Sequence, residues 1–370
     1  MRIVHLTSVH PRYDTRIFLK ECSSLAQHGY EVALVVADGR GNEIRDDVSI
    51  IDVGRATGRL NRMVGITRLV YDKAAELDAD IYHLHDPELL PVGLKLKRRG
   101  KEVIFDTHED VPRQLLSKPY LHPFFRHILA WGFAHFERYA CVRLDGVIAA
   151  TPFIRDKFLK INPRTVDINN FPMLGELSAQ SDENTARTQV CYVGGIEAVR
   201  GIREIVRAME KVSANVRLEL AGAFTDPELS AEVRGYAGWQ RVDERGFVDR
   251  AGVRAILGRS FAGLVTLHPI SNYLDALPVK MFEYMSAGIP VIASNFPLWR
   301  EIIEGNDCGL CVDPSRPDDI ANAINFLAQN PEQARAMGAN GQRAVRERYN
   351  WAVEEKKLLV FYTRLQKGMT

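Results

Sequence analysis

The densest chemistry in this 370-residue chain lies at residues 272–294, Asn-Tyr-Leu-Asp-Ala-Leu-Pro-Val-Lys-Met-Phe-Glu-Tyr-Met-Ser-Ala-Gly-Ile-Pro-Val-Ile-Ala-Ser. A loop ends at Leu277-Pro278-Val279, and proline suits the first turn of a helix because its missing N–H is one the helix leaves unpaired. The pattern predicts a helix from Pro278 to Ala287, capped by Gly288, then a strand from Ile289. Amides at such a helix start attract anions. Lys280 adds a cation in the first turn, Asp275 an acid in the preceding loop, and Glu283 a second acid further along. A sugar nucleotide asks for both edges, a cationic one for its diphosphate and carboxylates for its hydroxyls. A plainer reading stays open here, with Lys280 and Glu283 an ordinary i,i+3 pair on a helix surface. Cys308-Gly-Leu-Cys311 has metal-like spacing but no second pair and no nearby histidine, so it reads as two small buried residues at a strand end.

The elements that must position these residues alternate between short β-branched runs and helical patterns, the signal for parallel sheets with crossover helices. In the first half the runs are 3–7, 31–36, 48–53, 81–85, 102–106, 146–150 and 165–168. Helices are expected over 16–27, stopped by Gly29, and over 89–99, stopped by Gly100. A polar, weakly periodic stretch follows at 173–188 and reads as a linker. A second series has runs at 190–193, 216–221, 261–266, 291–293 and 309–312, with helices starting near Gly201, Pro227, Leu277, Pro297 and Pro317. The expected plan is α/β. It comprises a Rossmann-like domain over 1–172, the linker, and a second Rossmann-like domain over 189–348. A final amphipathic helix within 349–370 returns to the first domain. Two such domains facing a cleft would bind ligands beyond the C-terminal ends of their strands.

Composition narrows the function classes. Hydrophobic residues make up 46% and charged residues 26%, which fills two cores and excludes intrinsic disorder. Lys plus Arg is 48 against 47 for Asp plus Glu, a net of +1, so no nucleic-acid partner is expected. Five scattered cysteines point to a reducing compartment. The N-terminus enters a short strand without a charged and greasy leader, and no run reaches the ~20 apolar residues that span a bilayer. The expected location is cytoplasmic.

The segment from Asp275 to Glu283, with Ala-Gly-Ile-Pro-Val after it, resembles the signature of retaining family-4 glycosyltransferases of the GT-B fold: an acid, seven residues, Glu, then Ala-x-Gly-x-Pro-Val. Other pieces agree in order. Tyr192-Val-Gly194-Gly195-Ile-Glu-Ala-Val-Arg200-Gly201 is similar to the family's strand and phosphate loop. Residues 79–85 and 103–110 resemble its two His-bearing strand ends, at His85 and His108.

The resemblance implies that Glu283 holds the ribose, Asp275 faces the donor sugar, Arg200 neutralises the diphosphate and His108 lies against the sugar near its anomeric carbon. Gly194, Gly195, Leu277, Pro278 and Val279 would complete the donor site. His85 and Asp14 are expected on the acceptor side. Three departures stand out. The first acid is the shorter Asp275. Gly195 occupies a place where the family has Arg. The loop after the first strand is His10-Pro-Arg-Tyr-Asp-Thr-Arg16 rather than Gly-Gly. The missing cation would come from Lys280 or Arg16.

By the same resemblance, the expected reaction is retaining sugar transfer from a nucleoside-diphosphate donor, UDP-N-acetylhexosamine first, to a glycan or lipid-linked acceptor of cell-surface polysaccharide or lipopolysaccharide. The departing phosphate would take the acceptor proton. No cofactor and no dedicated metal are expected, because protein cations take on the leaving-group charge. Residues 118–143 interleave aromatics with cations, and Lys95, Lys97, Arg98, Arg99 and Lys101 add a basic patch. These could dock on anionic lipid at the inner face of the plasma membrane, or the aromatics could be core. Alternatives of the same fold are a sugar-nucleotide epimerase, recognised by product without acceptor, a phosphorylase, recognised by pyridoxal absorbance, and a non-catalytic sugar-nucleotide-binding partner.

Overall fold

The computed structural model describes residues 1–58, 60–116, 122–177, 187–213 and 215–367. It divides into two compact units, Met1–Asn170 with Val353–Thr370, and Phe171–Ala352. Of the expected linker, residues 178–186 lie outside the described residues, as do residues 118–121 of the aromatic stretch.

The first unit holds an eight-stranded sheet of β1 (Arg2–Leu6), β2 (Glu31–Val36), β3 (Glu43–Arg45), β4 (Val48–Asp52), β5 (Ile81–Leu84), β6 (Glu102–Thr107), β7 (Gly146–Ala149) and β8 (Thr165–Asp167). The strand order is β3-β4-β2-β1-β5-β6-β7-β8. Every pairing is parallel except β3 with β4, a short antiparallel edge that the sequence patterns missed. Register puts His5 beside His83. Because side chains alternate across a strand, β1, β5 and β6 send Val4, Leu6, Tyr82, Leu84, Val103 and Phe105 into one apolar cluster, and His5, His83 and Asp106 to the other face. That polar layer is fully buried. From the end of the chain the helix Trp351–Gln366 brings the Tyr362 hydroxyl to 2.8 Å from His83 Nδ1, and Glu354 accepts from the Asn169 amide at 2.8 Å.

The second unit holds β9 (Gln189–Val193), β10 (Arg217–Ala221), β11 (Val242–Gly246), β12 (Ser260–Val265), β13 (Val291–Ser294) and β14 (Gly309–Val312). Their order, β11-β10-β9-β12-β13-β14, is that of a dinucleotide-binding sheet, and all pairings are parallel. Both faces are apolar: Val190 and Tyr192 enter one core cluster and Cys191 the other. In each sheet the strand order reverses once, between β1 and β5 and between β9 and β12, and ligands of open α/β sheets bind at the C-terminal side of such a reversal.

Two local expectations change. Pro278 is the N-cap, with extended backbone (φ −67°, ψ 122°), and the helix runs Val279–Ser286. Its carbonyl accepts from Met281 N at 3.0 Å, so the proline precedes the first turn. The aromatic stretch forms the helix Pro123–Cys141 and is not core throughout. Phe124, Phe125 and Trp131 are 64%, 59% and 66% exposed, while Ala130, Ala140 and Cys141 are buried. All five cysteines are free, and burial pushes the Cys308 and Cys311 thiols up to about 12. Among the described residues no helix is long and apolar enough to cross a membrane.

Candidate functional site

In the second unit the loop after β9 meets the helix after β12. Gly194 has φ +128°, and a Cβ there would stand 3.4 Å from Lys280 Nζ. Gly201 (φ +77°) closes the loop, and a Cβ there would overlap the Thr266 carbonyl at 2.1 Å, which no side chain tolerates. The Tyr192 hydroxyl donates to the Gly195 carbonyl at 2.7 Å. Ahead of the helix, the fully buried Trp299 donates from Nε1 to the Ala276 carbonyl at 2.7 Å and so fixes the turn through Leu277 and Pro278. Asp275 is half-buried in that turn.

Lys280 is only 9% exposed. Its Nζ sits 3.6 Å above the Tyr192 ring and makes no hydrogen bond. Burial first, and the Arg200 charge second, bring its pKa down to about 7. Arg200 is two-thirds buried; burial disfavours its charge, but Tyr192, Tyr273 and Glu197 outweigh this and raise its pKa. Lys280 and Glu283 are not a surface pair. Glu283, also 9% exposed, accepts instead from Arg250 Nη1 at 2.6 Å. Sequence reasoning missed Arg250, which lies 33 residues away and had no local signal.

The first unit gathers a second cluster at the ends of β1, β5 and β6. The loop His10–Arg16 lacks the family's glycines and is held by its side chains. Arg12 forks onto Asp38 at 2.8 and 2.7 Å and reaches Glu43 at 2.8 Å. Asp14 accepts from the amides of Arg16 and Ile17 at 2.8 and 2.9 Å. Arg16 forks onto Asp106 at 2.8 and 2.8 Å and donates to the Ile168 carbonyl at 2.7 Å.

Two expectations are corrected here, on Arg16 and His85. Arg16, 4% exposed, has its guanidinium nitrogens engaged and leaves no face for a diphosphate. Asp14 is half-buried and holds its loop through Oδ1. His85, 2% exposed, lies 2.8 Å from His5 Nδ1 and 3.4 Å from Asp106, sealed from any acceptor. What the strand ends do present is His108 and His10, with rings 5.0 Å apart and side chains 22% and 26% exposed. His108 Nε2 lies 3.1 Å from Asp106. His10 Nδ1 lies 3.0 Å from Asp86, which also accepts from the Ser8 amide at 2.6 Å and the Thr7 hydroxyl at 2.8 Å.

Charge follows these contacts. Burial opposes ionisation of Asp106, but Arg16 and His108 win and hold it well below the usual carboxylate range. Burial likewise opposes Asp86, yet His10, Ser8 and Thr7 bring it to about 2. His10 is raised: burial works against its charge, and Asp86 outweighs it. Burial and then His85 push His5 and His83 well below their ordinary value.

Two groups among the described residues, His5-Glu21-His83-His85 and His85-Asp106-His108, have possible ligand atoms within 4.8 Å of one another. In the first, the 2.8 Å between His5 and His85 nitrogens is a hydrogen-bond length, below the ~3.3 Å that two nitrogens keep around one tetrahedral zinc. In the second, Asp106 already carries the Arg16 fork. His5 bonds His85 in the first group and His108 bonds Asp106 in the second, while both Glu21 oxygens, His5 Nε2, His83 Nε2 and His85 Nδ1 make no hydrogen bond among the described residues.

Comparison with known proteins agrees with this architecture. A curated relative, the alpha-maltose-1-phosphate synthase of Mycolicibacterium smegmatis, is 26% identical over 260 residues, 62% of this chain and 65% of that protein, so the match spans less than two thirds of the relative's length. The sucrose-phosphate synthase of Thermosynechococcus elongatus has a similar structure, with a TM-score of 0.79 at 19% identity over 100% of both chains. HepE of Anabaena, solved in complex with UDP and glucose, gives 0.75 at 15% identity over 98% of this chain and 99% of its own. Residues 16–169 match the family described as Glycosyltransferase Family 4, and residues 175–344 match Glycosyl transferases group 1. With both sheets and both matches in sequence order, the chain belongs to the family-4 glycosyltransferases of the GT-B fold.

Proposed function

We propose that the protein transfers a sugar, with retention, from a nucleoside-diphosphate donor to a glycan or lipid-linked acceptor. The observation that carries this reading is Lys280. An ammonium nine-tenths buried, without a hydrogen bond, beside an Arg and a two-glycine loop, is an incomplete site whose missing partner is an anion. The donor diphosphate fills it, held by Lys280, Arg200 and the backbone at Gly194, Gly195 and Val279. Lys280 is thus the replacement for the cation absent at Gly195. Glu283 takes the ribose and Asp275 the sugar hydroxyls. His108 takes the sugar near its anomeric carbon.

As the bond from that carbon to the diphosphate breaks, its electron pair leaves with phosphate, and the positioned cations stabilise the growing charge. The acceptor oxygen forms the new bond, and its proton passes to the departing phosphate. No dedicated metal enters this scheme. UDP-N-acetylhexosamine is the first donor to try, and cell-surface polysaccharide or lipopolysaccharide the first acceptor class.

The exposed aromatics of the helix Pro123–Cys141, with Arg126, Arg138 and Arg143 around them and Glu137 paired to Lys157 at 2.7 Å, support contact with an anionic membrane on the cytoplasmic side. The reading is tested by thermal shift against UDP-, GDP- and ADP-sugars. A bound donor at 100 times its Kd adds about 2.7 kcal/mol. If no nucleotide of the three series stabilises the protein, the reading fails.

A further inference from the structure

The Glu283 carboxylate is fixed before any ligand arrives. Arg250 stands at the start of the helix Arg250–Arg259, just beyond β11. Its Nη1 donates to Glu283 Oε1 at 2.6 Å, and its Nε donates to Glu176 Oε1 at 2.6 Å. The Glu176 carbonyl in turn accepts from Arg254 Nε and Nη2 at 3.0 and 2.7 Å. A chain of charge-assisted bonds therefore runs from the segment entering this unit, through Arg250, to Glu283. Among the described residues, Arg250 is the one hydrogen-bond partner of that carboxylate, and Oε2 carries none.

We infer that Arg250 is a positioning residue for donor recognition: it locks Glu283 in one rotamer, with Oε2 open to a ribose hydroxyl, and so sets the preference for ribonucleotides. This rests on the donor reading above and adds a residue to it. The physical ground is preorganisation. A carboxylate free to rotate would lose that freedom on gripping the ribose, whereas one already anchored through one oxygen has less to lose. The anchor is also the stronger kind of hydrogen bond, with both partners charged. Removing it leaves the Glu283 carboxylate without its anchor and free to sample several rotamers. That weakens ribose binding and leaves the phosphate contacts in place.

The test compares the wild type with Arg250→Ala and Arg250→Lys by calorimetric titration with UDP, 2′-deoxy-UDP, 2′,3′-dideoxy-UDP and inorganic pyrophosphate. GDP, ADP and their deoxy forms extend the series. The wild type should favour the ribonucleotide about tenfold or more over its dideoxy form, the size of one hydrogen bond to a charged group. Arg250→Ala should reduce that ratio to within about threefold of unity, Arg250→Lys should restore part of it, and pyrophosphate affinity should stay within about twofold of wild type. If Arg250→Ala fails to fold, Arg250→Gln, which retains most of the length, is read by the same ratio. An unchanged ribose preference in the variant overturns the role of Arg250 alone. A wild type that binds neither nucleotides nor pyrophosphate overturns the donor site and this inference with it.

Discussion

Replacing Lys280 with Met should stabilise the protein while removing its response to donor. The ammonium titrates at about 7 in the folded chain against an ordinary 10.5. Between these two values the unfolded chain binds the extra proton, so wild-type stability rises with pH across that window, and below pH 7 the full cost is present. The cost is about 4 kcal/mol at pH 7 and about 1 kcal/mol at pH 9.5. Methionine follows the same path over the Tyr192 ring without a charge. It forgoes a cation–π contact of about 2 kcal/mol while the lysine is charged. The net expectation is a variant about 2–4 kcal/mol more stable at pH 7, with the gap narrowing to about 1 kcal/mol at pH 9.5.

Urea unfolding at the two pH values measures this, and thermal shift with a UDP-sugar should then stabilise the wild type and leave the variant unmoved. Diphosphate binding should also return Lys280 to its charged form, taking up about half a proton per site at pH 7, which calorimetry in buffers of different ionisation heat reads directly. A variant no more stable than wild type, or a gap that does not shrink with pH, would show that Lys280 is solvated and that the incomplete anion site does not exist.

Asp86 sits near 2 when folded against an ordinary 3.8, so its contribution is present above pH 3.8 and lost as pH falls toward 2. Asp86→Asn should therefore destabilise by about 2 kcal/mol at pH 7, with the difference from wild type fading below pH 3 in denaturant titrations. The same variant should lower the His10 pKa in an NMR titration, since Asp86 is what raises it. Phe125→Ser with Trp131→Ser, both at exposed positions, should change stability by less than about 0.5 kcal/mol. If each ring inserts in the interface, the pair should cut co-sedimentation with phosphatidylglycerol vesicles at least tenfold, at about 1.5–3 kcal/mol per buried aromatic; unchanged binding would remove the membrane contact from the proposal.

The second-unit strands and helix starts were legible because their signals are local. Pro227, Pro297 and Pro317 open helices where the sequence places them, and Gly309–Val312 is a strand with its expected bounds. The polar cluster of the first unit was not legible, for an equally physical reason. Arg16 and Asp106 are 90 residues apart, His83 and Tyr362 are 279 apart, and no periodicity says which of several carboxylates a given arginine will meet.

The alternation in Tyr82-His83-Leu84-His85 does announce one polar face. Whether that face opens to substrate or closes into the core depends on what covers it, and the cover comes from Glu21 over His85 and from Tyr362, at the far end of the chain, over His83. His85 was read by its type, and burial took away that role. His10 was passed over as part of an odd loop, yet that loop, tied down by Arg12, Asp14 and Arg16, leaves His10 at the rim beside His108. A residue with chemistry in its side chain becomes a candidate when the groups around it leave one polar atom unsatisfied and reachable. On that criterion Glu283, His108 and His10 qualify, and Lys280 does so by its unmet ammonium alone, whereas Arg16, Asp14 and His85 hold the scaffold on which the others stand.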